Sequence, residues 1–186
     1  MMKVKAKQVT GWSRAYEAAL ATEGKETKSE PSDAWKRRML LCEHSPIRLV
    51  EYDVKIEGIK QWVTVHIVRH WLGFIPFVHS QRDDRRKLDC SRDDLPQGSL
   101  NDMMFSANAQ ALINVSRKRL CSCAHKETVE AWKKVKEAIC LVDPIMAEKM
   151  VRECAYRGFC PERKCCGFTN TEEFKQELEA YRKVSE

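Results

Sequence analysis

VEYDVKIEGIKQWVTVHIVRHWLGFIPFVHSQR, residues 50 to 82, changes its hydrophobic period twice, and the fold class follows from those changes. Val50, Tyr52, Val54 and Ile56 alternate with Glu51, Asp53, Lys55 and Glu57, the period of a strand with one wet face. Gly58 reads as the end of that strand. From Lys60 to Trp71 the spacing becomes helical, with Trp62, Val65 and Arg69 on one side. Arg69 and His70 then sit at the end of a helix, and Phe74 to Ser80 enters a second strand. The apolar run Leu72 to Val78 is thus framed by Arg69 and His70 on one side and by Ser80 and Arg82 on the other. That framing is either an accident of a domain surface or an anion site walled by two neighbouring elements.

Working outward, Lys3 to Val9 alternates weakly as an edge strand, and Ser13 to Ala21 reads as a short helix. Residues 22 to 31 are polar and carry Gly and Pro, which marks a loop, and Ser32 is a fitting N-cap for a helix through Trp35 to Cys42. Residues 82 to 94 interleave both signs of charge and read as a solvated loop, ahead of an LPQGS turn at 95 to 99. Helices are expected over about Ser106 to Ser122, about Lys126 to Leu141, and from Pro144 to Tyr156. A cysteine-rich loop at 157 to 170 precedes a charged amphipathic helix, Thr171 to Val184. The expected class is therefore α/β in the α+β sense, an antiparallel sheet packed with long helices, as one domain over 1–186 with a cysteine-rich C-terminal extension at about 154–186.

Composition agrees with a single folded domain: of 186 residues 43% are apolar and 32% charged. A net charge of +6 suits an anionic small molecule, and the mixed signs of the 82 to 94 loop do not make a phosphate-tracking stripe, so no nucleic-acid role is expected. No apolar run approaches the ~18 to 20 residues of a membrane span, and the N-terminus lacks the apolar centre of a signal peptide. These features predict a cytosolic protein whose nine cysteines are thiols or metal ligands rather than a disulfide framework.

Cys154, Cys160, Cys165 and Cys166 lie close enough in sequence to hold zinc, yet their spacing contains no paired CxxC, and packed free thiols are the competing reading. Cys121 and Cys123 read as core, and His66 with His70, four apart, has no third ligand in register; no metal ligand is assigned. On the helix from Ser106, positions 108, 112, 115 and 119 share one sector, with Gln110, Asn114 and Arg117 roughly opposite. Such a helix suits a place between two ligand pockets or at a subunit interface. Singly, Arg119 reads as a surface arginine, and Arg69 with His70 as cations at a helix C-terminus.

Their joint order says more. Glu43 and His44 precede a strand; Arg69, His70 and Trp71 end a helix; Ser80-Gln81-Arg82 follows an apolar segment; Leu95-Pro96 precedes a long helix bearing Asn108, Asn114 and Arg119. Taken together, over roughly residues 40 to 140, this order resembles the flavin-dependent thymidylate synthase family, of which the chain would be a compact, divergent member. The resemblance implies His44, Arg69, His70, Asn108 and Asn114 on FAD, and Arg69, Ser80, Arg82, Arg92 and Arg119 on a pyrimidine nucleotide, with Arg119 catalytic against the uracil ring. A nucleotide phosphate needs several guanidinium forks in a confined pocket, so the set makes physical sense. The implied reaction is reductive methylation of deoxyuridine monophosphate to thymidylate, with methylenetetrahydrofolate as carbon donor and NADPH-reduced FAD as hydride donor, in a homotetramer with shared active sites.

The chain also departs from the pattern. Trp71 stands in place of a second arginine, eight residues separate it from Ser80 where seven are usual, and Gln110 replaces an arginine that commonly meets FAD. His66, Val78 and Asp83 are further departures, and a helical segment before Arg92 is nearly absent. Three alternatives stay open: a related enzyme that methylates or hydroxymethylates another pyrimidine nucleotide, a non-catalytic nucleotide-binding protein that has lost flavin, and a zinc-stabilised interaction module.

Overall fold

In the computed structural model, which describes residues 2–85 and 90–184, four strands form one antiparallel sheet in the order β1-β2-β4-β3. These are β1 (Lys3–Thr10), β2 (Glu51–Lys60), β3 (Phe74–Val78) and β4 (Leu100–Asn108). Eight helices accompany them: α1 (Trp12–Ala21), α2 (Asp33–Leu41), α3 (Gln61–Ile67), α4 (Ala109–Arg119), α5 (Lys126–Cys140), α6 (Pro144–Lys149), α7 (Glu153–Arg157) and α8 (Glu172–Arg182). The α+β class expected from the sequence is the one observed. Part of the charged loop expected at 82 to 94, residues 86–89, lies outside the described residues.

The alternation in β2 does what its period requires. Tyr52, Val54 and Ile56 are fully buried on the inner face, and Lys55 is exposed on the other. Gly58 does not end the strand. Its backbone φ of 71° opens a bulge between Ile56 and Ile59, and its N–H donates to Asp102 Oδ1 at 2.8 Å, so pairing with β4 resumes as far as Lys60.

β4 itself was not expected. Its inward residues Met103, Phe105 and Ala107 are buried, but Leu100 and Met104 on the outward face are apolar too, which blurs the alternation that would have announced a strand. The helix expected from Ser106 consequently begins at Ala109, with Asn108 as its N-cap rather than an interior residue. α3 stops at Ile67, leaving Arg69 and His70 just past its end. The helix expected from Pro144 to Tyr156 is broken at Met150, whose ψ of 79° leaves the helical region, and resumes as α7 at Glu153.

α4 and α5 cover the inner face of the sheet. Phe74 stacks on Phe105 at 4.5 Å and Phe105 on Trp132 of α5 at 5.7 Å between ring centroids, while the Trp132 indole N–H donates to Ser116 of α4 at 2.9 Å. At the far side, Asp143 gathers three elements: its Oδ2 accepts from Trp12 Nε1 at 2.7 Å and from the Tyr52 hydroxyl at 2.6 Å, and its Oδ1 caps α6 at the Met146 N–H. Burial and the neighbouring carboxylate push the Tyr52 phenol pKa upward, so it acts as a donor.

Between α4 and α7, Glu153 is buried and receives Arg117 at 2.8 Å, Lys118 at 3.2 Å and Arg157 at 2.5 Å. Burial alone would raise its pKa; the hydrogen bonds from Arg117 and Arg157 and their charges bring it down to about 2. No helix among the described residues is long and apolar enough to cross a membrane.

Replacing Asp143 with alanine strands two buried side-chain donors and uncaps α6, so a loss of about 3 kcal/mol or more is expected. Urea unfolding followed by circular dichroism measures it; a loss below about 1 kcal/mol would mean that this carboxylate does not organise the fold.

Candidate functional site

The site grows from one junction. Where β4 becomes α4, the Asn108 N–H donates to the Gly73 carbonyl at 3.0 Å, the Ala109 N–H to the Val50 carbonyl at 2.9 Å, and the Asn108 side chain accepts from the Ala111 N–H at 2.9 Å. The start of β2, the turn before β3 and the first turn of α4 are thereby joined. Gly73 is required there: its φ is +67°, and an added Cβ would lie 2.5 Å from Asn108 Nδ2. The turn Arg69 to Leu72 is held against α4 as a result.

Two adjoining clefts lie along that seam, sharing Leu72 and Asn114. The smaller, about 140 Å³, is lined by Arg69, His70, Trp71, Ala111 and Val115 as well. The larger, about 510 Å³, is bounded by Glu43, Arg48, Gly73, Asn108 and Gln110. Trp71 stands 75% exposed at the lip, an unusual position for an indole.

Charge beside the smaller cleft is unbalanced. The half-buried Arg119 donates its Nε–H to His70 Nε2 at 2.9 Å, which leaves both terminal amino groups of the guanidinium for other acceptors. Burial, with Arg69 nearby, pushes the Arg119 pKa downward. Among the described residues no carboxylate pairs with Arg69 or Arg119, whereas Arg117, Arg37 and Arg152 each have one. Burial, and secondarily Arg119, lower His70 from 6.5 to about 4, so the ring is neutral near pH 7 and accepts at Nε2. His66 shifts downward too, through burial and then the charges of Arg119 and Arg69, and its Nδ1 is 3.0 Å from Thr128 Oγ1. The half-buried Arg119 and the exposed Arg69 near it, neither paired with a carboxylate among the described residues, leave this end of the seam positively charged.

The larger cleft is more polar than cationic. Glu43 takes a left-handed φ of 49°, uncommon outside glycine, and its carboxylate accepts from Gln110 Nε2 and from the Tyr156 hydroxyl. Asn114 offers an amide to both clefts. His44 follows Glu43 but is exposed at the start of the Ser45–Leu49 turn.

The chain therefore brings together Arg69, His70, Asn114 and Arg119, with Asn108 next door. Ser80, Arg82 and Arg92 are elsewhere. From Phe74 to Ser80 an extended chain covers about 20 Å, so these residues stand at the far end of β3. Arg82 is there clasped by Asp84 through two hydrogen bonds of 2.9 Å, Ser80 Oγ accepts from the Arg82 N–H, and Arg92 is exposed in the Arg92–Asp94 turn. Within one chain, Ser80 and Arg82 do not return to the anion that Arg69 and His70 would hold. Sequence reasoning missed Arg48 and the Glu43–Gln110 contact; nothing in spacing announces either, because they meet only through the fold.

No known protein-family pattern matches the sequence, and no curated protein matches it. Solved structures do. Thymidylate synthase X (ThyX) of Helicobacter pylori, with FAD and dUMP, superposes with a TM-score of 0.62 at 16% identity, over 78% of this chain and 99% of that one. A second Helicobacter pylori ThyX complex with FAD and dUMP gives 0.60 at 16% identity, over 73% and 93%. The UMP/dUMP methylase PolB of Streptomyces cacaoi, bound with 5-Br dUMP, gives 0.62 at 13% identity, over 86% and 96%. The chain has the fold of the flavin-dependent thymidylate synthases, the one its motif order resembles.

The low value of His70 is open to direct titration. Its ring proton resonances should titrate near 4, and in Arg119→Leu the midpoint should rise while staying below 6.5, because burial is the larger cause. A histidine depressed by folding binds fewer protons folded than unfolded, so its contribution to stability is present above pH 6.5 and lost as pH falls towards 4. A midpoint near 6.5 in the wild type would contradict the Arg119–His70 contact.

Proposed function

We propose that the chain is a cytosolic enzyme that methylates deoxyuridine monophosphate to thymidylate, taking carbon from methylenetetrahydrofolate and hydride from FAD reduced by NADPH. One observation carries the reading: Arg69 and a neutral His70 line one cleft, and the half-buried Arg119, with no carboxylate partner among the described residues, is held against that His70. A nucleotide supplies the missing negative charge. Arg119, aimed by His70, would favour the electron-rich form of the uracil ring, and Arg69 would hold the anionic side of the ligand. The solved structures that share this fold are complexes with dUMP or a brominated dUMP, which agrees with a pyrimidine nucleotide here.

The residues present also fit a flavin. The clefts offer amides at Asn108, Asn114 and Gln110, cations at Arg48 and Arg69, and an exposed indole at Trp71 for an aromatic ring to meet. FAD, when bound, would supply the hydride chemistry; the chain's part is to orient the ligands and to hold charge against them. His44 would reach the flavin from the edge of the same seam.

A homotetramer with shared sites accounts for Ser80, Arg82 and Arg92, which would serve the nucleotide of a neighbouring copy. The outward face of β3 and β4 supports such assembly, because Ile75, Phe77, Leu100 and Met104 are all exposed on it and Phe77 pairs with Met104. A second reading, nucleotide binding without flavin, is favoured by one feature: the Glu43 carboxylate stands in the larger cleft, where a diphosphate would be repelled.

Thymidylate formation, followed by mass spectrometry with all four reactants, tests the reading. Arg119→Ala should lower turnover about 100-fold or more with unchanged circular dichroism, since it removes a charge from a cleft rather than contacts from the core. Arg69→Ala should weaken nucleotide and flavin together. Full activity in Arg119→Ala would sink the assignment of α4. Binding of the nucleotide with no flavin uptake would favour the second reading, and turnover only with other uridine or cytidine nucleotides would favour a related methylase or hydroxymethylase.

A further inference from the structure

Six of the nine cysteines, from two separate stretches of the chain, line one small cavity. Cys121 and Cys123 come from the turn after α4, Cys154 from α7, and Cys160, Cys165 and Cys166 from the loop that follows. The sequence places the last four near each other, but the arrival of Cys121 and Cys123 is a product of the fold. Neither is core: Cys121 is partly exposed and Cys123 exposed. All six are free thiols.

That loop needs a reason to be ordered. No residue from 157 to 170 is buried, and the segment contributes almost nothing apolar to the domain. Its one firm apolar anchor is Phe168, which lies under the Arg152 guanidinium at 3.7 Å and edge-on to Phe174. Fourteen residues without a core of their own ordinarily require a cross-link to hold one conformation.

Donors converge on the sulfurs. The Gly167 N–H points to Cys165 Sγ at 3.4 Å, the Ser122 hydroxyl to Cys166 Sγ at 3.2 Å, and backbone N–H groups of Glu162 and Phe168 to Cys160 and Cys166. Gly167, with φ +84°, makes the turn that permits the first of these. Hydrogen bonds onto sulfur stabilise thiolate and tune thiolate ligands of metals. Cys160 also touches Cys165, and Cys121 touches Cys123.

We propose that this cavity is a structural metal site in which four thiolates, two from Cys121 and Cys123 and two from the Cys160 to Cys166 loop, hold one zinc ion. Six sulfurs outnumber the two carboxylates that line the cavity, Glu153 and Glu162, of which Glu153 is already paired with Arg117, Lys118 and Arg157, and soft thiolate donors select zinc among abundant divalent cations. The cavity, about 10 Å³, admits one water-sized occupant and therefore an ion rather than a cluster. Among the described residues no three His, Cys, Asp or Glu side chains are already gathered as a bound ion requires, so binding draws the loop inward. Cys154, buried on α7 rather than on the loop or the turn after α4, stays outside the set. The cavity shares no lining residue with the cleft at Arg69 and His70, and its test does not depend on turnover.

Elemental analysis of the full-length protein, purified under reducing conditions, should give one zinc per chain. Cys121→Ser/Cys123→Ser and Cys160→Ser should each lose it, while Cys140→Ser, on the far end of α5, keeps it. Because those variants could unfold, the wild type is also stripped with a chelator: protease should then cut within 157 to 164, zinc should restore protection, and cobalt in its place should give a sulfur-to-cobalt charge-transfer band. Wild-type protein without zinc that binds no cobalt, zinc that survives both ligand variants, disulfides among these cysteines in the native chain, or iron with inorganic sulfide would each overturn the proposal.

Discussion

The junction at Gly73, Asn108 and Ala109 is the constraint on which the rest of the site depends. Three short backbone and capping hydrogen bonds fasten β2, the turn before β3 and α4 to one another at a point where glycine alone fits. Without that fastening, Arg69 to Leu72 would be an ordinary surface turn past the end of α3. With it, Arg69 is set against Arg119, and His70 against the Arg119 guanidinium, ten residues along α4 from Ala109. A helix start and a helix end are thus tied to one cleft.

The arginines divide into two kinds on electrostatic grounds. Arg117 meets buried Glu153, Arg37 meets Glu148 and Arg152 meets Glu177, each pair neutralised within the chain. Such pairs hold elements in place. Arg119 instead meets the neutral His70, and Arg69 stands exposed nearby, so neither charge is balanced by a carboxylate among the described residues.

Much of this was legible in the sequence. The alternation of Val50 to Ile56 identified the central strand, the order of Arg69-His70, Asn108, Asn114 and Arg119 pointed to the fold, and Ser32 marked its helix, donating no surprise when its side chain capped Trp35. β4 escaped because Leu100 and Met104 make its outer face apolar, so a strand with two oily faces carried no period to read. With β4 missed, Asn108 was placed inside α4 and the helical sector shared with Arg119 was drawn one turn too long. Ser80 and Arg82 were joined to Arg69 because chain order is blind to the length of β3. The cysteines were half visible: spacing within 154 to 166 could be counted, but the partnership with Cys121 and Cys123 exists only once α4 and α7 pack together.

The claim at the centre of this account is that the Arg69–Arg119 cleft receives an anion. Calorimetry with deoxyuridine monophosphate and with deoxyuridine, each in the presence of FAD and at two salt concentrations, tests it most directly. The account requires binding of the monophosphate that weakens with salt, and a large loss of affinity when the phosphate is removed. Equal affinity for nucleotide and nucleoside, or no binding of either, would contradict it.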